Sequence, residues 1–158
     1  MRTSLKIGFS FGLTSGVITT LGLMVGLHAG THSMPAVLGG ILTIAVADAM
    51  SDALGIHVAE ESKNNGKAGE IWESTLATFA AKFVIAGTFA VPVLFMPLDV
   101  AIAASLAWGL SLLAMLSYAL ARAQQVAPWK VIGEHVVIGL CVVTMTHYLG
   151  EWIRATFG

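Results

Sequence analysis

Residues 7–28 read IGFSFGLTSGVITTLGLMVGLH, an apolar and small-residue stretch with no Asp, Glu, Lys or Arg. A helix of about 20 such residues, rising about 1.5 Å each, crosses the hydrocarbon core of a bilayer. Working outward, four more stretches share this character: 35–59, 73–95, 99–120 and 130–153. The connections between them, AGTHSM, ESKNNGKAGEIW, MPL and RAQQVAPW, are too short for a second folded unit. The expectation is one domain over residues 1–158, an all-α integral membrane protein with five transmembrane helices. No period-two alternation points to strands.

Composition agrees and excludes the alternatives. The chain is 56% apolar and 11% charged, with mean hydropathy +0.83, where soluble domains carry about 25% charged residues. A soluble domain of this size could not hide so much apolar surface, which excludes a soluble enzyme, a disordered tail and a disulfide scaffold. The net charge of −1 comes without a basic run, so no nucleic-acid partner is expected. Cys141 is the lone cysteine and has neither a disulfide partner nor metal-ligand spacing around it. With no nucleophile beside a base and no cofactor motif, neither enzymatic activity nor a permanently bound cofactor is expected.

The few charges orient the chain. Met1 to Lys6 has the look of a signal-peptide leader, but the stretch behind it is too long and too rich in Ser and Thr, so it reads as a retained span. With the N-terminus inside, Arg2, Lys6, Lys63, Lys67, Arg122 and Lys130 lie on the cytoplasmic side and only Arg154 lies outside. Trp72, Trp129 and Trp152 fall at span ends, where amphipathic rings favour the headgroup layer. Gly8, Gly12 and Gly16, then Gly22 and Gly26, line the first span, and Ala45, Ala49 and Ala53 line the second. Such stripes let membrane helices approach closely, either within the chain or across a homodimer seam. Because five helices leave little room to enclose a pathway, the expectation is a homodimer in the lipid bilayer.

Three charges fall inside spans. Asp48 and Asp52 sit in AVADAMSDALGIHVAEES, and their i, i+4 spacing places both carboxylates on one helix face. An ionised Asp at the bilayer centre costs about 2.5–3.5 kcal/mol on insertion scales, which marks intramembrane acids as functional candidates. Two on one face repel and hold protons as a coupled pair. Lys82 of the third span and Asp52 lie at matching depth, about 12–14 Å from the cytoplasmic ends of their helices at 1.5 Å per residue. Pairing with Asp52 is favoured over snorkelling towards the cytoplasm. His57, Glu60 and Glu61 follow at i, i+3 and i, i+4 spacing at the cytoplasmic mouth, suited to collecting cations. Met24, Met50 and Met145 are soft potential ligands, although buried Met more often serves packing. Elsewhere, Asp99 after Pro97 reads as a helix cap, His28 and His32 as parts of an exposed loop, and Pro92 as a kink that frees the carbonyl of Thr88.

These residues bring a family into view. FGLTSGVITTLGLMVGL resembles the first helix of the vacuolar iron transporter family, which carries G-L-T-D-G there. ADAMSDALGIHVAEES resembles that family's second helix, VPVLFMP the proline-rich end of its third, and IGEHVVIGLCVVTMTHYLG its closing helix. The resemblance covers nearly the whole chain in order. It implies a dimeric exporter of ferrous iron or manganese from the cytoplasm, driven by protons, with the path between subunits and lined by the first two helices. Carried over by position, Ser15 stands at the family's first-helix Asp, Asp48 at an acid of many prokaryotic members, Asp52 at a Met and His57 at a Tyr. The family's cytoplasmic metal-binding insert between the second and third helices is absent here. With that carry-over, the two carboxylates, Ser51, Ser15 and a soft donor from Met50 or Met24 make a set suited to a divalent ion of intermediate softness. Transported Fe2+ or Mn2+ across a prokaryotic plasma membrane is the leading expectation. A proton or small-cation pathway through the same acids and Lys82, or a non-transporting scaffold that keeps the fold, are the alternatives.

Overall fold

The computed structural model describes residues 3–63 and 67–158; Arg2, which entered the orientation count, and Asn64, Asn65 and Gly66 of the second connection lie outside them. Seven α-helices and one π-helical segment follow in order: α1 (Thr3–Thr31), α2 (Met34–Thr43), the π segment (Ile44–Asp48), α3 (Ala49–Glu61), α4 (Ala68–Thr88), α5 (Ala90–Phe95), α6 (Leu98–Gln124) and α7 (Pro128–Phe157). No strand occurs among the described residues. Joined across their short interruptions, these form five helices long and apolar enough to cross a membrane: Thr3–Thr31, Met34–Glu61, Ala68–Phe95, Leu98–Gln124 and Pro128–Phe157. Each contains the stretch read from the sequence and runs at most five residues beyond it at either end.

The interruptions have local causes. Pro92 lacks an N–H and its ring crowds the carbonyl four residues back, so the third span breaks at Phe89, between α4 and α5. The polar groups loosened there find partners: Thr88 donates its hydroxyl to the carbonyl of Ile85, and Trp108 Nε1 donates to Thr88 Oγ1. α6 ends at Gln125 in the left-handed region (φ 58°), where Val126 N–H returns to the carbonyl of Ala121. Pro128 then opens α7 at a position where a missing N–H costs nothing. Asp99 does not cap α6, because the helix starts at Leu98 and Asp99 lies inside its first turn. His28 is likewise no loop residue: α1 continues to Thr31 and carries it.

α1 is the central helix, and its glycines are used within the chain. Gly8 faces the backbone of Ser74, and a Cβ on Gly12 would lie 2.5 Å from the carbonyl oxygen of Thr78. Further along, Gly22 and Gly26 meet Val142 and Thr146 of α7. Of the two uses the stripe allows, packing within the chain or a seam between subunits, it serves the first here, against α4 and α7, because only a hydrogen side chain lets backbones come this close. Ala45, Ala49 and Ala53 are buried too. The second half of α1 packs an apolar core of Val17, Leu21, Met24, Val37, Ile41 and Phe89. The first half meets Ser74, Thr78 and Lys82 instead, all fully buried. The bundle thus has an apolar half and a small, polar one, and Lys82 with its partners Asp48 and Asp52 belongs to the polar one.

Candidate functional site

Three helices converge on Lys82. Its side chain is fully buried, and its Nζ lies 2.5 Å from Asp52 Oδ2 and 2.6 Å from Asp48 Oδ2. A third contact of 2.9 Å reaches Ser15 Oγ on α1. Ser15 in turn donates its hydroxyl to Asp52 Oδ2 at 2.6 Å. Of the three N–H donors of the ammonium, two make hydrogen bonds, to Asp52 Oδ2 and Ser15 Oγ, while Asp48 Oδ2 lies within ion-pair distance. Lys82 therefore pairs with both acids and does not snorkel.

Local geometry explains the convergence. Asp48 closes the π segment and Asp52 sits in the first turn of α3, so one helical turn separates them. A π segment inserts an extra residue into the helix and is often found at functional sites. Here it ends at the first acid of the pair. Lys82 reaches α1 beside Gly16, where a Cβ would stand 3.3 Å from Lys82 Cγ. The glycine leaves the lysine stem a groove along α1.

The two carboxylates do not hold Lys82 equally. The Asp52 contact is an aligned, charge-assisted hydrogen bond, whereas Asp48 Oδ2 is buried without an aligned donor and is held by charge alone. The Asp48 and Asp52 side chains keep 33% and 20% of their surface, against none for Lys82. The carboxylates thus form the open side of the cluster and the ammonium its closed side.

The other expected ligands are not gathered here. Met50 is 58% exposed and lies about half a turn from both acids at roughly 100° per residue, on the opposite side of the helix. Ser51 also faces outward. At the mouth, His57, Glu60 and Glu61 do not meet one another. Thr75 gives its hydroxyl proton to the carbonyl of Ile71, so His57 Nδ1 is the donor in their 2.9 Å bond, and the imidazole packs edge-on against Trp72. Glu60 pairs with Lys63 at 2.6 Å, and Glu61 is exposed. Among the described residues, no three His, Cys, Asp or Glu side chains gather where they could hold a metal ion.

Two polar contacts lay outside the sequence reading. His28 Nε2 lies 2.9 Å from Asp99 Oδ1 and ties α1 to the start of α6. His135 Nδ1 lies 2.7 Å from Ser117 Oγ, whose own proton goes to the carbonyl of Leu113, so the imidazole is the donor. Neither pair is legible without knowing which helices adjoin. No family model matches the chain, and no curated protein does so either.

Proposed function

We propose that the chain is a membrane transporter that moves a divalent metal ion, iron or manganese, out of the cytoplasm in exchange for protons, as a short member of the vacuolar iron transporter family. One observation carries this reading: two acids and a lysine, with a serine hydroxyl, clustered inside the spans of an apolar bundle, the acids still partly exposed. Stability gives little reason for such a cluster, because replacing a buried ion pair by well-packed apolar groups is often neutral or favourable. Ionisable groups inside a membrane face a bundle interior or a water-filled path and mark routes for ions and protons.

The chemistry supports this cargo. Carboxylate and hydroxyl oxygens suit ions such as Mn2+. Carboxylates bind a metal only when deprotonated, so loading the ion releases any protons they hold and couples the two movements. Ser15 stands where the resembled family has its first-helix acid, and it joins the cluster through both Lys82 and Asp52. The Lys and Arg bias supports a cytoplasmic N-terminus, and we place the protein in a prokaryotic plasma membrane. Two copies would cover the open side of the acids and the exposed row Leu42, Val46, Met50, Leu54 and Val58 of the second span. A proton or monovalent-cation pathway is the second reading, favoured by an inner donor set that is entirely oxygen.

The test is ion flux in proteoliposomes. A Mn2+ gradient is expected to drive protons the opposite way in the wild type, and Asp48→Asn and Asp52→Asn are expected to abolish this while eluting as folded protein. Equal flux in all three, or none in the wild type with Mn2+, Fe2+ or Na+, would overturn transport.

A further inference from the structure

The cluster already contains a cation, and that cation belongs to the chain. The ammonium of Lys82 contacts the oxygens of Asp48, Asp52 and Ser15 that a dehydrated ion entering from the open side would use. We propose that Lys82 is a tethered competitor for the transported ion, and that this competition makes the site discriminate by charge, admitting divalent and refusing monovalent cations. The proposal rests on reading the cluster as a cation site, and it supplies a reason for the divalent cargo.

Charge balance carries the argument. With Lys82 in place, two carboxylates and one ammonium sum to −1. A monovalent ion that replaced the ammonium would leave that sum unchanged. It would also shed its water and displace a group whose stem keeps it at high effective concentration. A divalent ion brings the sum to zero, and at equal distance its attraction to each carboxylate is twice that of the ammonium. Only the second exchange gains electrostatic energy at the acids.

Two details make the ammonium displaceable. Asp48 Oδ2 accepts no aligned hydrogen bond, so half of the clamp on Lys82 is charge without directional bonding. The lysine stem lies against Gly16, where no side chain confines it. The acids keep exposed surface while the ammonium has none, so an arriving ion meets the carboxylates before Lys82 leaves them.

The experiment measures Mn2+ binding by calorimetry on the protein in lipid nanodiscs, with and without excess Na+, counting only the binding that Asp52→Asn abolishes. The wild type should bind Mn2+ with an affinity that Na+ hardly changes. Lys82→Met should bind Mn2+ about tenfold or more tightly, because the acids are vacated, and Na+ should now compete. Lys82→Arg should bind Mn2+ several-fold more weakly, because a guanidinium fork holds carboxylates better than an ammonium does. If Lys82→Met binds like the wild type and ignores Na+, the competition is overturned while the cation site stands. If no protein shows Mn2+ binding that depends on Asp52, the cation site falls and the proposal with it. Should Lys82→Met not fold, Lys82→Arg decides, and unchanged or tighter Mn2+ binding there overturns the proposal.

Discussion

The Lys82 cluster and the His28–Asp99 pair each tie separate helices of this bundle together, and their surroundings differ in nearly every respect. Lys82 meets Asp48 and Asp52 in the polar half of the bundle, with the lysine fully buried and a serine hydroxyl completing the cluster. His28 meets Asp99 where α1 ends and α6 begins, and the Asp99 side chain is 88% exposed. The distances are nearly alike, so distance does not separate them. Burial does. An exposed pair exchanges good hydration for a weak attraction and contributes about 0–1 kcal/mol. A buried pair gives up hydration that nothing else replaces, so losing one partner strands the other. The same kind of contact is thus a minor link at one end of the molecule and a constraint on folding in its middle.

Asp52→Leu should therefore have the largest effect. It removes the acceptor of Ser15 and leaves Lys82 with the Ser15 hydroxyl and, as its one remaining charged partner among the described residues, the unaligned contact to Asp48. A loss of about 3–5 kcal/mol is expected, the range for one partner taken from a buried pair. Unfolding of the purified protein in mixed detergent micelles would report it. A shift no larger than that of Asp99→Leu would break the comparison.

The positions in this cluster were partly legible before any coordinates. The i, i+4 spacing set both acids on one face, and depth counted from the span ends put Lys82 level with Asp52. The part played by Ser15 came from its place in the G-L-T-S-G stretch and not from spacing. The π segment was invisible, because it depends on backbone hydrogen bonds that no residue type in IAVAD requires. Met50 was grouped with the acids by proximity in sequence, although helical rotation turns it to the other side. The partner of the glycine stripe was also unreadable, since small residues record that something comes close and not what does. The His28–Asp99 contact depends on α1 continuing beyond the apolar stretch, which hydropathy alone does not mark.

A substitution at the glycine seam should have the next largest effect and sharpen the comparison by showing how firmly α1 holds Ser15 against Lys82. A Cβ on Gly12 would stand 2.5 Å from the Thr78 carbonyl oxygen and 3.1 Å from the Ala81 Cβ, so backbone must move. Gly12→Leu should cost about 1–3 kcal/mol, the usual range for overpacking. Gly55 has nothing within 4 Å, and Gly55→Leu should remain within about 0.5 kcal/mol of the wild type. If the two substitutions proved equal in the same unfolding assay, α1 would not be clamped to α4 through its glycines.

The smallest effect belongs to the outer pair, and there ionic strength is the sharper probe. Asp99→Asn keeps the shape of the side chain and removes its charge, so it isolates the electrostatic part of the link to His28. The Asp99 side chain is almost wholly in contact with solvent, and mobile ions screen such a charge over about 8–10 Å at ordinary salt. At a pH where the His28 imidazole is protonated, Asp99→Asn should cost about 0–1 kcal/mol at low salt, with the difference from wild type vanishing in molar salt. Asp52→Leu should keep its deficit in the same titration, because dissolved ions do not reach behind the carboxylates to the buried ammonium. Opposite responses to salt would place the two pairs in different dielectric surroundings, which distances alone do not establish. A deficit for Asp99→Asn that survived high salt would mean that the outer link is shielded by something that covers the start of α6, and the division between a buried constraint and an exposed tie would fail.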